Sequence, residues 1–297
     1  MNRIRKEKIT TVIENLPPLP VVLEELLETV DDDRVAARDI AEIIAQCPVI
    51  AAEILKLVNS AVYSLDTKIT SLQHAVVIIG FEAIKKLALG ISVVNTIAKM
   101  PVYKKALHEF WRHSMESAIV AKKIALHLPP SFKITKTLSE EIFVGGLLHD
   151  IGKIILTYAM KFDYIQLLKN VRCENNRTNL CFLEKNHYGM DHTDVGEIMS
   201  NKWYFSTNLK AMIKYHNEPS EIVRQYPSRE MYVSLCCIFI ADTISTSLHR
   251  KPVVKRIYCD DFREYRKFLS ITDELLDNIY SSLEYEVEDI IISLGLQ

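Results

Sequence analysis

The sequence predicts an all-α protein. Three observations carry that expectation. Apolar residues recur at three- and four-residue spacing along most of the chain, the alternating pattern of strands is weak throughout, and only eight glycines occur in 297 residues. Ile4, Ile9, Val12 and Ile13 mark a first amphipathic helix. It must stop at Asn15-Leu16-Pro17-Pro18-Leu19-Pro20, because three prolines in four positions cannot continue it. Leu23, Leu26, Leu27 and Val30 mark the second helix, and Asp31-Asp32-Asp33 a polar break. Ile40, Ile43 and Ile44 mark the third, and Pro48 suits the first turn of a fourth with Ile54, Leu55 and Val58. Asn59 to Ser64 reads as its exit loop. Thr70-Ser71 caps a helix through Val76, Val77 and Ile79, and Gly80 separates it from another through Ile84, Leu87 and Ala88. Two short helices around a glycine have the outline of a DNA-reading pair. Here only Lys85 and Lys86 offer phosphate contacts, so a core helix pair is the preferred reading.

Pro101 is the best internal boundary, giving an N-terminal helical subdomain over 1–100 and a second over 101–297. The second is expected to carry helices over Phe110–His127, Glu140–Tyr158, Asp191–Met199, Leu209–Tyr215 and Met231–Thr246. A closing helix or two should follow within Pro252–Gln297, on Leu275, Leu276, Ile279, Leu283, Val287, Ile290 and Ile291. Formal net charge is −2, so no global attraction to DNA or an anionic membrane is expected. The apolar run Val233–Ala241 is too short to span a bilayer. The basic start, Arg3 to Lys8, is not followed by the apolar stretch of a secretory signal. The six cysteines (Cys47, Cys173, Cys181, Cys236, Cys237, Cys259) form no CxxC pair and no disulfide ladder. A reducing cytoplasm fits them best, with Cys236 and Cys237 as small core residues.

The chemistry concentrates in His149-Asp150, inside Gly145-Gly146-Leu147-Leu148-His149-Asp150-Ile151-Gly152-Lys153. A carboxylate behind an apolar stretch needs a partner, and a divalent cation would serve. His113 lies upstream, and His192, His216 and Asp242 downstream. These residue types hold first-row metals through nitrogen and oxygen. Each has an ordinary reading when taken alone. His113 could be a satisfied core histidine, and His149-Asp150 a hydrogen-bonded pair. His192 could be a helix-start residue beside capping Asp191 and Asp194, His216 a helix-end residue, and Asp242 a structural aspartate. His74, His108, His127, His187 and His249 are read as structural or exposed. Together, in the order His, His-Asp, His, His, Asp and each on or beside a helix, they could point into one bundle interior.

At these residues the chain resembles the HD superfamily of metal-dependent phosphohydrolases. The resemblance implies that His113, His149, Asp150 and Asp242 bind one metal and that His192 and His216 match the extra histidines of binuclear members. It also implies that Lys153 is placed for a phosphate. Further motifs narrow the likeness. They are Leu16 to Pro20, Cys47-Pro48, Leu57-Val58-Asn59-Ser60-Ala61 with Tyr63, Thr70-Ser71-Leu72 with Ala75-Val76 and Gly80, Phe110 to Ser114, and Gly189 to Gly196. Over roughly residues 16 to 220 these are similar to the HDOD module, the HD-related output domain of bacterial signalling proteins.

That resemblance implies an HD-like helical bundle acting as a regulatory module. Its partners would be signalling proteins such as kinases or response regulators, or a nucleotide or phosphate ligand. The divalent ion would be iron, manganese, nickel or magnesium. The alternative is a metal-dependent phosphohydrolase acting on a nucleotide or other phosphoester, with Asp150 and Lys153 catalytic. Tyr215 precedes His216 where cyclic-dinucleotide phosphodiesterases of the superfamily carry a second histidine, and no Gly-Tyr-Pro follows. Efficient hydrolysis of cyclic-di-GMP is therefore not expected.

Overall fold

The computed structural model describes residues 2–28, 36–174, 177–225, 228–248 and 260–296, and among them no strand is present. Asp31-Asp32-Asp33, His249 and Cys259 lie outside the described residues, as does the side chain of Cys173. The first part of the chain forms α1 (Asn2–Glu14), α2 (Val21–Glu28), α3 (Ala37–Ala45), α4 (Pro48–Val58), α5 (Leu72–Ile79) and α6 (Phe81–Ala98). Pro48 opens α4, where its missing amide is no loss. Ser71 caps α5 by accepting from the amide of His74. The α5–α6 pair is a core element: α6 is buried along Ala83, Ile84, Leu87, Ile91 and Val94, and Lys85 and Lys86 pair with Glu82 and Glu141.

Beyond Pro101 come α7 (Lys104–Leu126), α8 (Lys136–Leu148), α9 (Ile151–Met160), α10 (Phe162–Glu174), α11 (Arg177–Tyr188) and α12 (His192–Lys202). They are followed by α13 (Thr207–Tyr215), α14 (Pro219–Gln225), α15 (Arg229–Leu248), α16 (Asp260–Phe268) and α17 (Asp273–Leu294). Helices α10, α11 and α14 are additions to the sequence expectation. The expected single helix over Glu140–Tyr158 is a correction, since it breaks at the His149-Asp150 doublet. Asp150 leaves helical geometry (φ −98°, ψ 11°) and α9 restarts at Ile151. In an unbroken helix neighbouring residues point about 100° apart, so only one of the two could face a common centre. The break lets both do so.

At the middle, α7 packs on α8 and α15, with α6 against α8 and α17 against both α7 and α4. The first helix crosses to α9, α11 and α12. One contiguous apolar core runs from Ile9 to Leu296 and includes the fully buried Cys236 and Cys237. Both α15 and the α8–α9 pair are apolar and long enough to cross a membrane. Their apolar windows are 83% and 89% buried within the protein, which marks them as core helices.

Candidate metal centre

Two close helix contacts assemble the site. A Cβ on Gly146 would stand 2.8 Å from the Ala118 Cα on α7, so only glycine lets α8 approach there. A Cβ on Gly152 would stand 1.9 Å from the carbonyl oxygen of His192, so only glycine lets α9 meet the start of α12. The first contact brings His113 beside His149, and the second brings His192 beside Asp150. α15 lies along α7 and contributes Asp242. α13 ends at His216, on the far side of Asp150.

Asp150 is the hub. Its Oδ2 lies 3.4 Å from His113 Nε2 and 3.4 Å from His149 Nε2, and its Oδ1 lies 3.5 Å from His192 Nε2 and 3.4 Å from His216 Nε2. Asp242 Oδ1 lies 3.3 Å from His113 Nε2 and 3.8 Å from His149 Nε2. Ligand atoms each about 2.0–2.2 Å from a common ion are themselves about 3 to 3.5 Å apart, which is the spacing seen. The donors form two groups that share Asp150: His113, His149, Asp150 with Asp242, and Asp150, His192, His216. All six sequence-predicted residues therefore converge.

The four imidazoles are oriented alike. His149 Nδ1 faces the carbonyl oxygen of Gly146 at 2.8 Å, and His216 Nδ1 that of Ile213 at 2.9 Å. His192 Nδ1 faces Glu184 Oε2 at 2.6 Å, and His113 Nδ1 faces Ser245 Oγ at 2.9 Å. Ser245 donates its own hydroxyl hydrogen to Glu116 at 2.6 Å, leaving a lone pair for His113. Carbonyls and carboxylates only accept, so the Nδ1 atoms donate and the Nε2 atoms face Asp150. That is the supporting arrangement of metal-binding histidines. His149 Nε2 and Asp150 Oδ1 are buried without a hydrogen-bond partner; a cation beside His113 and His149 would satisfy the first, and the second faces His192 and His216.

Electrostatics agree with a site built for positive charge. Burial by itself would raise the Asp150 carboxyl, but Lys153 and His149 outweigh it and hold it well below the ordinary range. Lys153 Nζ sits 2.5 Å from Asp150 Oδ2, so its ammonium is engaged by the hub. Burial disfavours a charged His149, yet Asp150 and Asp242 reverse the balance and raise it to about 9. His216 has no such surplus, and burial pushes it down to about 4. The side chains of His113 and Lys153 are 19% and 24% exposed, whereas those of His149, Asp150, His192 and His216 are at most 2% exposed.

Sequence reasoning missed Glu184, Asn217 and Ser245. Glu184 is fully buried and accepts from the His192 amide, the His192 ring and the Tyr164 hydroxyl. It sits on α11, which the periodicity did not expose. Cys181, one turn earlier, lies near Glu184 and His192. Burial pushes its thiol up. Adjacency to His216 was the one available signal for Asn217.

The comparisons agree with this architecture. The family model of the HDOD domain matches residues 16–219. A Shewanella amazonensis structure provisionally named a phosphohydrolase superposes with a TM-score of 0.71 at 22% identity, covering 97% of this chain and 98% of its own. An HDOD domain protein of unknown function from Geobacter sulfurreducens gives 0.71 at 20% identity, with 98% of both chains covered. At these identities the likeness is one of fold. An uncharacterized protein of Treponema pallidum (strain Nichols) is 22% identical over 216 residues, 72% of this chain and 40% of the relative, so the chain spans less than half of that protein. With a family model covering more than two thirds of its length and every donor of the His/Asp centre except Asp242, this chain belongs to the HDOD family.

Proposed function

We propose that this protein is a bacterial signal-transduction module that acts through protein partners, with a divalent ion in the His/Asp centre as its structural or sensory ligand. His113, His149, Asp150 and Asp242 would hold the ion. A mixed set of imidazoles and carboxylates suits iron, manganese, nickel or magnesium better than zinc. The observation that carries the preference for regulation over turnover is enclosure. His149 is 0% and Asp150 1% exposed, and Lys153, the group a phosphate would need, is engaged with Asp150. A kinase or response regulator is the class of partner we favour, and the partly exposed His113 and Lys153 are where a small phosphate or nucleotide would meet the centre.

The alternative is hydrolysis of a phosphoester. A bound ion would then act as a Lewis acid and lower the pKa of a water. The ligand set favours it, and release of Lys153 toward substrate would be its requirement. The test is elemental analysis of purified protein beside a phosphoesterase screen with added manganese or iron. About one ion per chain in the wild type is expected, with loss in Asp150→Asn and an unchanged circular dichroism spectrum. Turnover of cyclic-di-GMP is expected to be negligible. Metal-dependent hydrolysis at about 1 s⁻¹ or faster, an ordinary enzymatic rate, abolished by Asp150→Asn, would establish the enzyme instead.

A further inference from the structure

The two donor groups around Asp150 are not equivalent. His192 Nδ1 faces Glu184, and His216 Nδ1 faces the Ile213 carbonyl, so in both rings Nδ1 carries the hydrogen and Nε2 carries one lone pair. Both lone pairs are already engaged. The side-chain amide nitrogen of Asn217 lies 2.9 Å from His216 Nε2 and 3.2 Å from His192 Nε2, with a longer contact of 3.7 Å to Cys181 Sγ. An amide nitrogen has two hydrogens, one for each ring. The assignment of nitrogen over oxygen follows from the same partners, because the amide oxygen would set lone pair against lone pair. An imidazole Nε2 cannot accept this hydrogen bond and bind an ion at once. On the other side of Asp150, His149 Nε2 has no hydrogen-bond partner; on the Asn217 side the atom without one is Asp150 Oδ1, while both ring nitrogens are engaged.

We propose that Asn217 closes the second ion position of this centre, so that the chain takes one ion, at His113, His149, Asp150 and Asp242, and not two. The inference rests on the metal reading above and deepens it. Asn217 acts as a built-in substitute for the second ion. It satisfies the two buried histidines with neutral hydrogen bonds and holds the rings where an ion would otherwise hold them. A centre limited to one ion lacks the paired clamp on attacking and leaving oxygens that two-metal phosphoesterases use.

The test compares wild type, Asn217→Ala and Asn217→Asp after loading with excess manganese and removal of free metal. Manganese per chain and the electron paramagnetic resonance spectrum are both read. Asn217→Ala removes the donor, and Asn217→Asp replaces it with a carboxylate that can ligate. The expected result is one ion and an isolated-ion spectrum for the wild type. Two ions with an exchange-coupled spectrum are expected for Asn217→Asp, and a rise above one for Asn217→Ala. Two ions in the wild type would overturn the inference, as would one ion in both folded variants. No ion in any of the three proteins would overturn the metal reading itself, and this inference with it. Circular dichroism of each variant separates lost folding from unchanged stoichiometry.

Discussion

At the scale of single residues, the centre depends on groups that orient others. Asp191 illustrates this beside His192. Its carboxylate accepts from the Asp194 amide and the Thr193 hydroxyl, each at 2.8 Å, and from Lys185 at 2.9 Å, while Asp194 accepts from the Asp191 amide. This reciprocal cap starts α12 at the histidine. Burial would raise the Asp191 carboxyl, but the Asp194 amide, His192 and Lys185 prevail and bring it down to about 2 from 3.8. A depressed carboxylate adds stability that is complete above the unfolded value and is lost as pH falls through the folded one. Asp191→Ala is therefore expected to destabilise by about 1–2 kcal/mol at pH 7. The gap from wild type should shrink as pH drops from about 4 toward 2. Urea titrations of both proteins at pH 7 and pH 3 check this; a gap that widens in acid would contradict it.

At the scale of elements, the site is a product of helix approach. α9 and α12 meet through Gly152, and the atom in the way of any larger residue is backbone, the His192 carbonyl oxygen at 1.9 Å from a hypothetical Cβ. A backbone atom cannot rotate aside as a flexible side chain can. Gly152→Ala is expected to push α12 outward, destabilise the fold by about 1–3 kcal/mol and displace His192 from Asp150. Gly90→Ala is the matched control, since its Cβ would meet only side-chain atoms of Val144 and Leu147 at 3.3 Å or beyond. Equal stability of the two variants by chemical denaturation would show that the α9–α12 contact yields easily.

At the scale of the molecule, a buried polar clamp joins the exit loop of α4 to α7 and α8. Lys122 Nζ lies 2.8 and 3.0 Å from the two Glu140 oxygens, and the Tyr63 hydroxyl donates to Glu140 at 2.8 Å. The ammonium also stands 3.5 Å from the centre of the Tyr63 ring. Burial lowers the Lys122 pKa although Glu140 pulls it up. Glu140→Leu would strand a cation in the core, at a cost of about 3–5 kcal/mol. The double variant Lys122→Met/Glu140→Leu is expected to recover most of that loss. Denaturant midpoints of the single and double variants measure it, and a double variant no better than Glu140→Leu would exclude the stranded charge as the cause. Further ties join α4 and its exit loop to α17: Lys56 donates to the Ser293 carbonyl at 2.8 Å, and Asp289 accepts from the Ala61 amide at 3.1 Å.

What the sequence determined by itself was whatever local spacing encodes. Helical periodicity, the proline stop after α1, Pro48 opening α4 and the Ser71 cap all follow from interactions within a few residues. The His, His-Asp, His, His, Asp order selected six residues that the fold does bring together. Only the tertiary structure decided that the doublet sits in a break between α8 and α9, that Glu184 reaches His192 from an unanticipated helix, and that Asn217 covers two ring nitrogens. These contacts join residues whose meeting depends on how closely helices approach. That approach is set by backbone collisions at Gly146 and Gly152, which no spacing rule along one helix contains.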